Sequence, residues 1–189
     1  MYKVDEMVHL KKYEVLSSPG DYILVKGYLA CKTAKQLVYF PQQGDEIIDC
    51  AKFGEYSLHY EAKTAATLVK IPQDRSFVML ERRDELKGKL IEALIKRVQF
   101  FSIPTKERLY VLLYQLGNEI GVQSGNDCYI PTVLTQKELG DYISCSREYL
   151  CVVRRRLIEE GWIDKGKNWV LLDWQRWKRH EENMNDTSE

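Results

Sequence analysis

Between residues 145 and 157 the chain reads CSREYLCVVRRRL, and its first charged pair offers the most specific chemistry in the sequence. The guanidinium of Arg147 is a planar fork that can bond to the O6 and N7 of a guanine. The Glu148 carboxylate can accept from the N4 amino group of a cytosine. If the stretch is helical, Leu150, Val153 and Leu157 fall at i, i+3 and i+7 and define its buried face. Arg147, Glu148, Cys151, Val152 and Arg155 then share the opposite face near the helix start. Arg154 and Arg156 flank the buried stripe and read as ordinary surface or phosphate-facing charges.

Such a helix needs something to hold it, and the preceding residues supply it. Thr135 followed by Glu138 makes a capping box, in which hydroxyl and carboxylate reciprocally satisfy free backbone donors at a helix start. Leu134 and Leu139 occupy the positions of the accompanying hydrophobic staple. A short helix is therefore expected from Gln136, with Leu139, Tyr142 and Ile143 inward and a stop near Ser144. Ser146 can cap a second helix, with Glu148 in the first turn where the helix dipole favours an anion. Two short helices across a tight turn, the second projecting Arg and Glu from its first turn, describe a helix-turn-helix. Downstream, EEGWIDKGKNWVLLDW sets Trp162, Ile163, Trp169, Val170 and Leu172 around a Lys-Gly-Lys turn, as a two-stranded wing would. Lys165 and Lys167 at its tip are placed for phosphates, contacts that add salt-sensitive affinity without sequence information.

Upstream, the runs YILVKGYLACKT, QLVYF, DEIIDC, YSLHY and ATLVKI are separated by turn material, which predicts a compact antiparallel β unit from about Tyr13 to Ile71. ERRDELKGKLIEALIKRVQFFSI then predicts one long helix with a seam of Leu86, Leu90, Leu94, Val98 and Phe101. Ile91 and Ile95 widen that face, which fits burial against both the β unit and a second copy of the chain, the alternative being an ordinary core helix with no partner chain. Pro104 interrupts the helix. TKERLYVLLYQLGNEIG continues as another helix with Leu109, Leu112, Leu113 and Leu116 on one face, and GVQSGNDCYIPTV reads as a polar loop or short hairpin.

Composition bounds the class. With 44% hydrophobic and 30% charged residues the chain belongs with soluble globular proteins, and 28 basic against 28 acidic residues leave no net charge to announce a polyanionic partner. The basic residues instead concentrate between Ser144 and His180. No apolar run reaches the roughly 20 residues of a membrane span, and MYKVDEMVHLKK lacks a signal peptide's apolar stretch, so a cytoplasmic protein is expected. Cys31, Cys50, Cys128, Cys145 and Cys151 show no CxxC spacing, which argues against disulfide, zinc or iron-sulfur frameworks. There is no metal-ligand cluster, Gly-rich phosphate loop or nucleophile-base spacing, so an enzyme is not expected.

The stretch LTQKELGDYISCSREYLCVVRRRLIEEGWI resembles the winged helix-turn-helix of the bacterial cyclic-AMP receptor protein and fumarate-nitrate regulator (Crp/Fnr) superfamily. YILVKG, QQGD and EAKTAATLVKI look like strands of that family's sensor roll, although the N-terminus is short by its standard and the first strands of the roll are candidates for loss. The class implied is α+β. It comprises an N-terminal antiparallel β-roll (jelly-roll, cyclic-nucleotide-binding-like) over 1–80, a long dimerisation helix over 81–103, and a C-terminal winged helix-turn-helix over 104–189. The resemblance implies a homodimeric transcription regulator on double-stranded promoter or operator DNA with a two-fold-related site, with RNA polymerase as a candidate further partner and no membrane partner. Arg147 and Glu148 match the base-reading pair, while Thr135, Gln136, Lys137 and Ser146 match positions near phosphates. Tyr149, Cys151, Val152 and Arg155 complete the base-facing set. The sequence departs from the family at Val152, which cannot hydrogen-bond a guanine but can touch a thymine methyl.

No cofactor is expected. The first arginine of all, Arg75, lies beyond the β unit, so the guanidinium fork suited to a cyclic phosphate is missing there. Where a Gly-Glu pair would follow Gly44-Asp45 the chain has Ile47, Ile48 and Asp49; Phe53-Gly54-Glu55 and Lys63 are weaker substitutes. Haem ligation has only His9 and His59 to draw on before residue 80. Two other readings stay open: a winged-helix interaction module that no longer reads DNA, and a redox-responsive regulator using Cys145 and Cys151, since a thiol near a helix N-terminus can have a lowered pKa.

Overall fold

A computed structural model describes residues 6–33, 36–48, 58–72 and 77–186. The chain divides into two compact units, Met1–Gln99 and Phe100–Glu189.

The first unit is a roll of two antiparallel sheets. One sheet runs β1 (Met7–Leu10), β7 (Ala66–Lys70), β2 (Tyr22–Lys26) and β5 (Glu46–Ile47); the other runs β4 (Gln36–Tyr39), β3 (Leu29–Thr33) and β6 (Leu58–Ala62). Period-two alternation decides what is buried: Leu58, Tyr60 and Ala62 of β6 point inward while His59 and Glu61 are partly exposed. Tyr22, Leu24, Leu29, Cys31, Val38, Ile47 and Leu68 join them in one core. The sequence run YILVKGYLACKT divides at Gly27 into β2 and β3, which belong to different sheets. Gly27 has φ +93°, and a Cβ there would stand 2.4 Å from the Ala65 carbonyl oxygen. Only glycine makes that turn at acceptable cost. Strand β1 lies ahead of the β unit expected from about Tyr13. Met7 pairs with Val69 and Leu10 with Ala66, so MVHL closes the roll as an edge strand.

The long helix expected over 81–103 is α1, Phe77–Phe100. Leu90 is buried in the roll's core, with Leu86, Ala93 and Leu94 packed against it. Arg82 and Arg83 form ion pairs with Glu46 and Asp21, and Arg97, also buried, donates to the Gln36 side chain.

The second unit is built on α2, Thr105–Ile120, whose buried stripe includes Leu109, Leu112, Leu113 and Leu116 as the spacing predicts. GVQSGNDCYIPTV forms the hairpin of β8 (Val122–Ser124) and β9 (Asp127–Ile130). Then come α3 (Gln136–Ile143), α4 (Arg147–Glu159), β10 (Trp169–Leu171) and α5 (Trp174–Asp186). The wing is not the two-stranded ribbon expected: β10 pairs with β9 in a three-stranded sheet β10-β9-β8, and the first arm contributes only an Ile163–Leu171 bridge. Helix α5, absent from the sequence expectation, supplies Trp174 and Trp177 to the core. It approaches α2 so closely that a Cβ at Gly117 would stand 2.6 Å from the Trp174 ring. Tyr110 stacks on Trp177 at 4.3 Å between centroids, and Trp162 and His180 close the aromatic cluster.

Candidate nucleic-acid interface

Helices α3 and α4 are both capped as their sequences demand. The Thr135 hydroxyl accepts from the Glu138 amide at 3.2 Å, and the Glu138 carboxylate accepts from the Thr135 amide at 2.8 Å. At the other end of α3, Ser144 takes a left-handed φ of 56°, and its amide donates to the Asp141 and Gly140 carbonyls. That residue reverses the chain in a single step, and Ser146 at once caps α4 by accepting from the Tyr149 amide at 3.2 Å. Leu139, Tyr142, Ile143, Leu150, Val153 and Leu157 are buried, which fixes the roll angle of both helices about their axes.

The face left over is the one the spacing indicated. Arg147, Glu148, Cys151, Val152 and Arg155 line one open depression of about 370 Å³, and Val152 is 60% exposed. Tyr149, also assigned to that face, lies outside the depression and is 38% exposed. Glu148's own backbone amide, then the Ser146 hydroxyl and Arg147, hold its carboxyl below the usual carboxylate range, so it is a charged acceptor at neutral pH. Among the described residues neither Arg147 nor Arg155 forms an ion pair. The guanidinium donors are available to a ligand.

Around this depression stand the residues assigned to phosphates. Thr135, Gln136 and Lys137 are exposed at the start of α3, Ser146 at the start of α4, and Lys165 and Lys167 at the wing tip. Helix starts with free amides and nearby lysines suit an anion. Arg108 holds the base of the assembly: its guanidinium donates to the carbonyls of Phe101 and Ile103 at 2.9 Å each and of Ile143 at 3.3 Å.

The three consecutive arginines separate by role. Arg156 pairs with Glu160 one turn on at 2.5 Å, Arg155 faces solvent, and Arg154 turns sideways, donating to the Gly166 carbonyl with its guanidinium over the Trp169 ring. Arg154 is therefore not the free surface or phosphate-facing charge that the sequence suggests. The alternative of redox control finds no activated thiol at Cys145. Cys145 donates to the Ser146 carbonyl, and burial pushes its pKa up, opposite to an activated thiolate. Cys151 is exposed within the depression.

The seam assigned to a partner chain divides in two. Leu86, Leu90 and Leu94 are spent on the roll, because that side of α1 meets its core. Phe101 lies beyond the helix end and packs edge-on against Phe100. Val98 is 72% exposed, and with Ile91 at 56% and Ile95 at 52% it forms the apolar stripe that the roll leaves open.

In the roll, Lys63 is fully buried, its Nζ 2.6 Å from Glu61 Oε1, and Lys32 holds the other oxygen at 3.0 Å. Burial alone would raise the Glu61 pKa, but the bonds and charges of Lys63 and Lys32 bring it below the usual range. Ile47 and Ile48 fill the core. Arg75, Asp49, Cys50 and Phe53-Gly54-Glu55 lie outside the described residues. His9 is exposed beside the Thr67 hydroxyl. Among the described residues no cluster of three or more His, Cys, Asp or Glu could hold a metal ion, and no helix is long and apolar enough to cross a membrane.

Residues 107–179 match the family described as the Crp-like helix-turn-helix domain. That match spans 73 of the 189 residues and most of the second unit. Solved structures extend the likeness to the Crp/Fnr fold as a whole. A transcriptional regulator of the CRP/FNR family from Thermus thermophilus matches with TM-score 0.72 and 22% identity, covering 94% of this chain and 98% of that one. A CRP-family regulator from the same organism matches with TM-score 0.70 and 19% identity over 91% and 95% of the two chains. A cyclic nucleotide-binding domain containing protein from Listeria monocytogenes matches with TM-score 0.64 and 17% identity over 90% of each. No curated protein matches the chain. The matched stretch contains α3 and α4, and the likeness in fold takes in the two N-terminal sheets as well.

Proposed function

We propose that this protein is a sequence-specific DNA-binding transcription regulator that docks as a homodimer on a two-fold-related site and acts without a cyclic nucleotide. The observation that carries the reading is the exposed face of α4, where Arg147, Glu148, Cys151, Val152 and Arg155 border one depression and both guanidinium groups lack an ion pair among the described residues. Arg147 and Glu148 read a guanine and a cytosine, and Val152 replaces a hydrogen-bonding contact by an apolar one that suits a thymine methyl. Thr135, Gln136, Lys137, Ser146, Lys165 and Lys167 set the register on the phosphates. Residues 1–80 serve as the degenerate sensor-like roll, 81–103 as the dimerisation helix and 104–189 as the reading domain. Ile91, Ile95 and Val98 face the partner helix, which spaces two copies of α4 for successive major grooves about 34 to 36 Å apart. Independence from nucleotide is supported by Lys63, the weaker substitute for the missing arginine, being buried and paired with Glu61.

The test is a polarisation titration against duplexes selected from random sequence, repeated at several salt concentrations. Arg147→Ala should cost about 1 to 3 kcal/mol and relax preference at one base pair, while Lys165→Ala should weaken all sequences alike and lower the salt slope by about 1. If neither change alters binding, the winged domain is an interaction module instead. Affinity that survives peroxide, with Cys151→Ser matching the wild type, excludes redox control through α4.

A further inference from the structure

We infer that Arg154 is a positioning residue: it clamps the wing tip to α4, so that phosphate contact by Lys165 and Lys167 depends on a side chain that itself touches no DNA. This inference rests on the DNA reading proposed above. Its basis is a pair of contacts made by one guanidinium. Arg154 Nη2 donates to the Gly166 carbonyl, and its Cζ lies 5.1 Å from the centroid of the Trp169 ring. Arg154 is half-buried by these contacts while Arg155 and Arg156 are exposed.

The tip has little else to hold it. The Asp164 amide bonds to the Val170 carbonyl at 3.0 Å, and the Gly166 amide turns back to the Asp164 carboxylate at 2.7 Å. Residues 165–168 are exposed and belong to no strand. The clamp therefore reaches from the reading helix to the middle of the Lys-Gly-Lys turn, and it orients both flanking lysines relative to α4. A planar guanidinium is suited to this, because it can stack on indole and donate in its own plane at once.

Arg154→Met keeps the aliphatic stem and the helix, and Arg154→Lys keeps the charge but not the planar fork. The expected results, in the full chain, are these. Both variants move the Gly166 amide and Trp169 indole resonances in proton-nitrogen spectra. Both weaken every duplex alike, by roughly three- to tenfold, and flatten the salt slope as the Lys165→Ala/Lys167→Ala pair does. In that lysine-free background Arg154→Met costs less than about twofold more, since contacts that act through one another are not additive. Additive losses, or affinity restored by Arg154→Lys, would show a direct phosphate contact and overturn the inference, as would unmoved Gly166 and Trp169 resonances. A wild-type chain that binds no duplex overturns the DNA reading itself and the clamp's part in it, a result distinct from every other because the resonances still report the clamp.

Discussion

In the N-terminal unit Lys63 is enclosed and held by Glu61, Lys32 shares the same carboxylate, and Arg82 and Arg83 of α1 meet Glu46 and Asp21. In the C-terminal unit Arg147, Arg155, Lys165 and Lys167 are exposed, and among the described residues none of them forms an ion pair. A buried cation must be paired, because desolvation otherwise exceeds what the fold can supply. An exposed one costs the fold little and keeps its field for a ligand. The two units therefore differ in how their cations are paired and not in an excess of them, since residues 1–99 hold 16 basic and 14 acidic residues and residues 100–189 hold 12 and 14.

The largest test of this contrast is Glu61→Gln. Stranding Lys63 should destabilise the first unit by about 3 to 5 kcal/mol, whereas Lys63→Met, which removes the buried charge with its penalty, should be near neutral. Chemical denaturation of both variants beside Lys165→Ala, expected within about 0.5 kcal/mol of wild type, settles it. Equal effects at Glu61 and Lys165 would erase the contrast. The same pairing sets an acid limit. Because the Glu61 pKa is lowered in the fold, its stabilisation is present above the ordinary value of 4.5 and is lost as pH falls through the lowered one.

Next in size, the two sides of α1 should separate. Leu90→Ala should cost about 2 to 5 kcal/mol of roll stability, as deletions from a packed core do. Ile95→Glu should leave the roll's unfolding unchanged and give monomers in sedimentation. A dimer that survives Ile95→Glu would remove the exposed stripe from the interface.

The smallest effect concerns Glu181, whose Oε2 is buried without a hydrogen-bond partner and whose pKa is pushed up by burial. A raised folded pKa means the carboxyl stabilises the fold most in acid and loses that contribution as pH rises through the folded value. Glu181→Gln should therefore raise the stability of the second unit at neutral pH by about 0.5 to 1 kcal/mol and flatten its pH dependence above 4.5. Greater stability with the charge than without it would mean that the buried carboxylate of Glu181 is compensated.

What could be read from the sequence follows from how local the signal is. The ends of α3 and α4 are written in Thr135, Glu138 and Ser146, whose side chains bond to backbone within three residues. The strand β1 has only four residues and depends on β7, more than fifty positions away, so its local pattern was weak. Helix α5 was missed because WQRWKRHEENMND is mostly charged; Trp174 and Trp177, one turn apart, and the notch at Gly117 were the available signal. The seam of α1 was legible as a stripe but not as two faces, because leucine and isoleucine alike satisfy the period and only the roll decides between them. Arg154 was grouped with its neighbours, since nothing in RRR tells which guanidinium will meet an indole fifteen residues on.

The two caps have one more consequence, which concerns the order of assembly. Thr135 and Ser146 are eleven positions apart, and each helix start is satisfied by bonds spanning three residues. Loop closure for such contacts costs little chain entropy, so the helical pair can form early in folding, ahead of the β9–β10 pairing that must join residues about forty apart. Early formation of the α3–α4 pair would show as high φ-values for Thr135→Ala and Ser146→Ala beside low ones in β10.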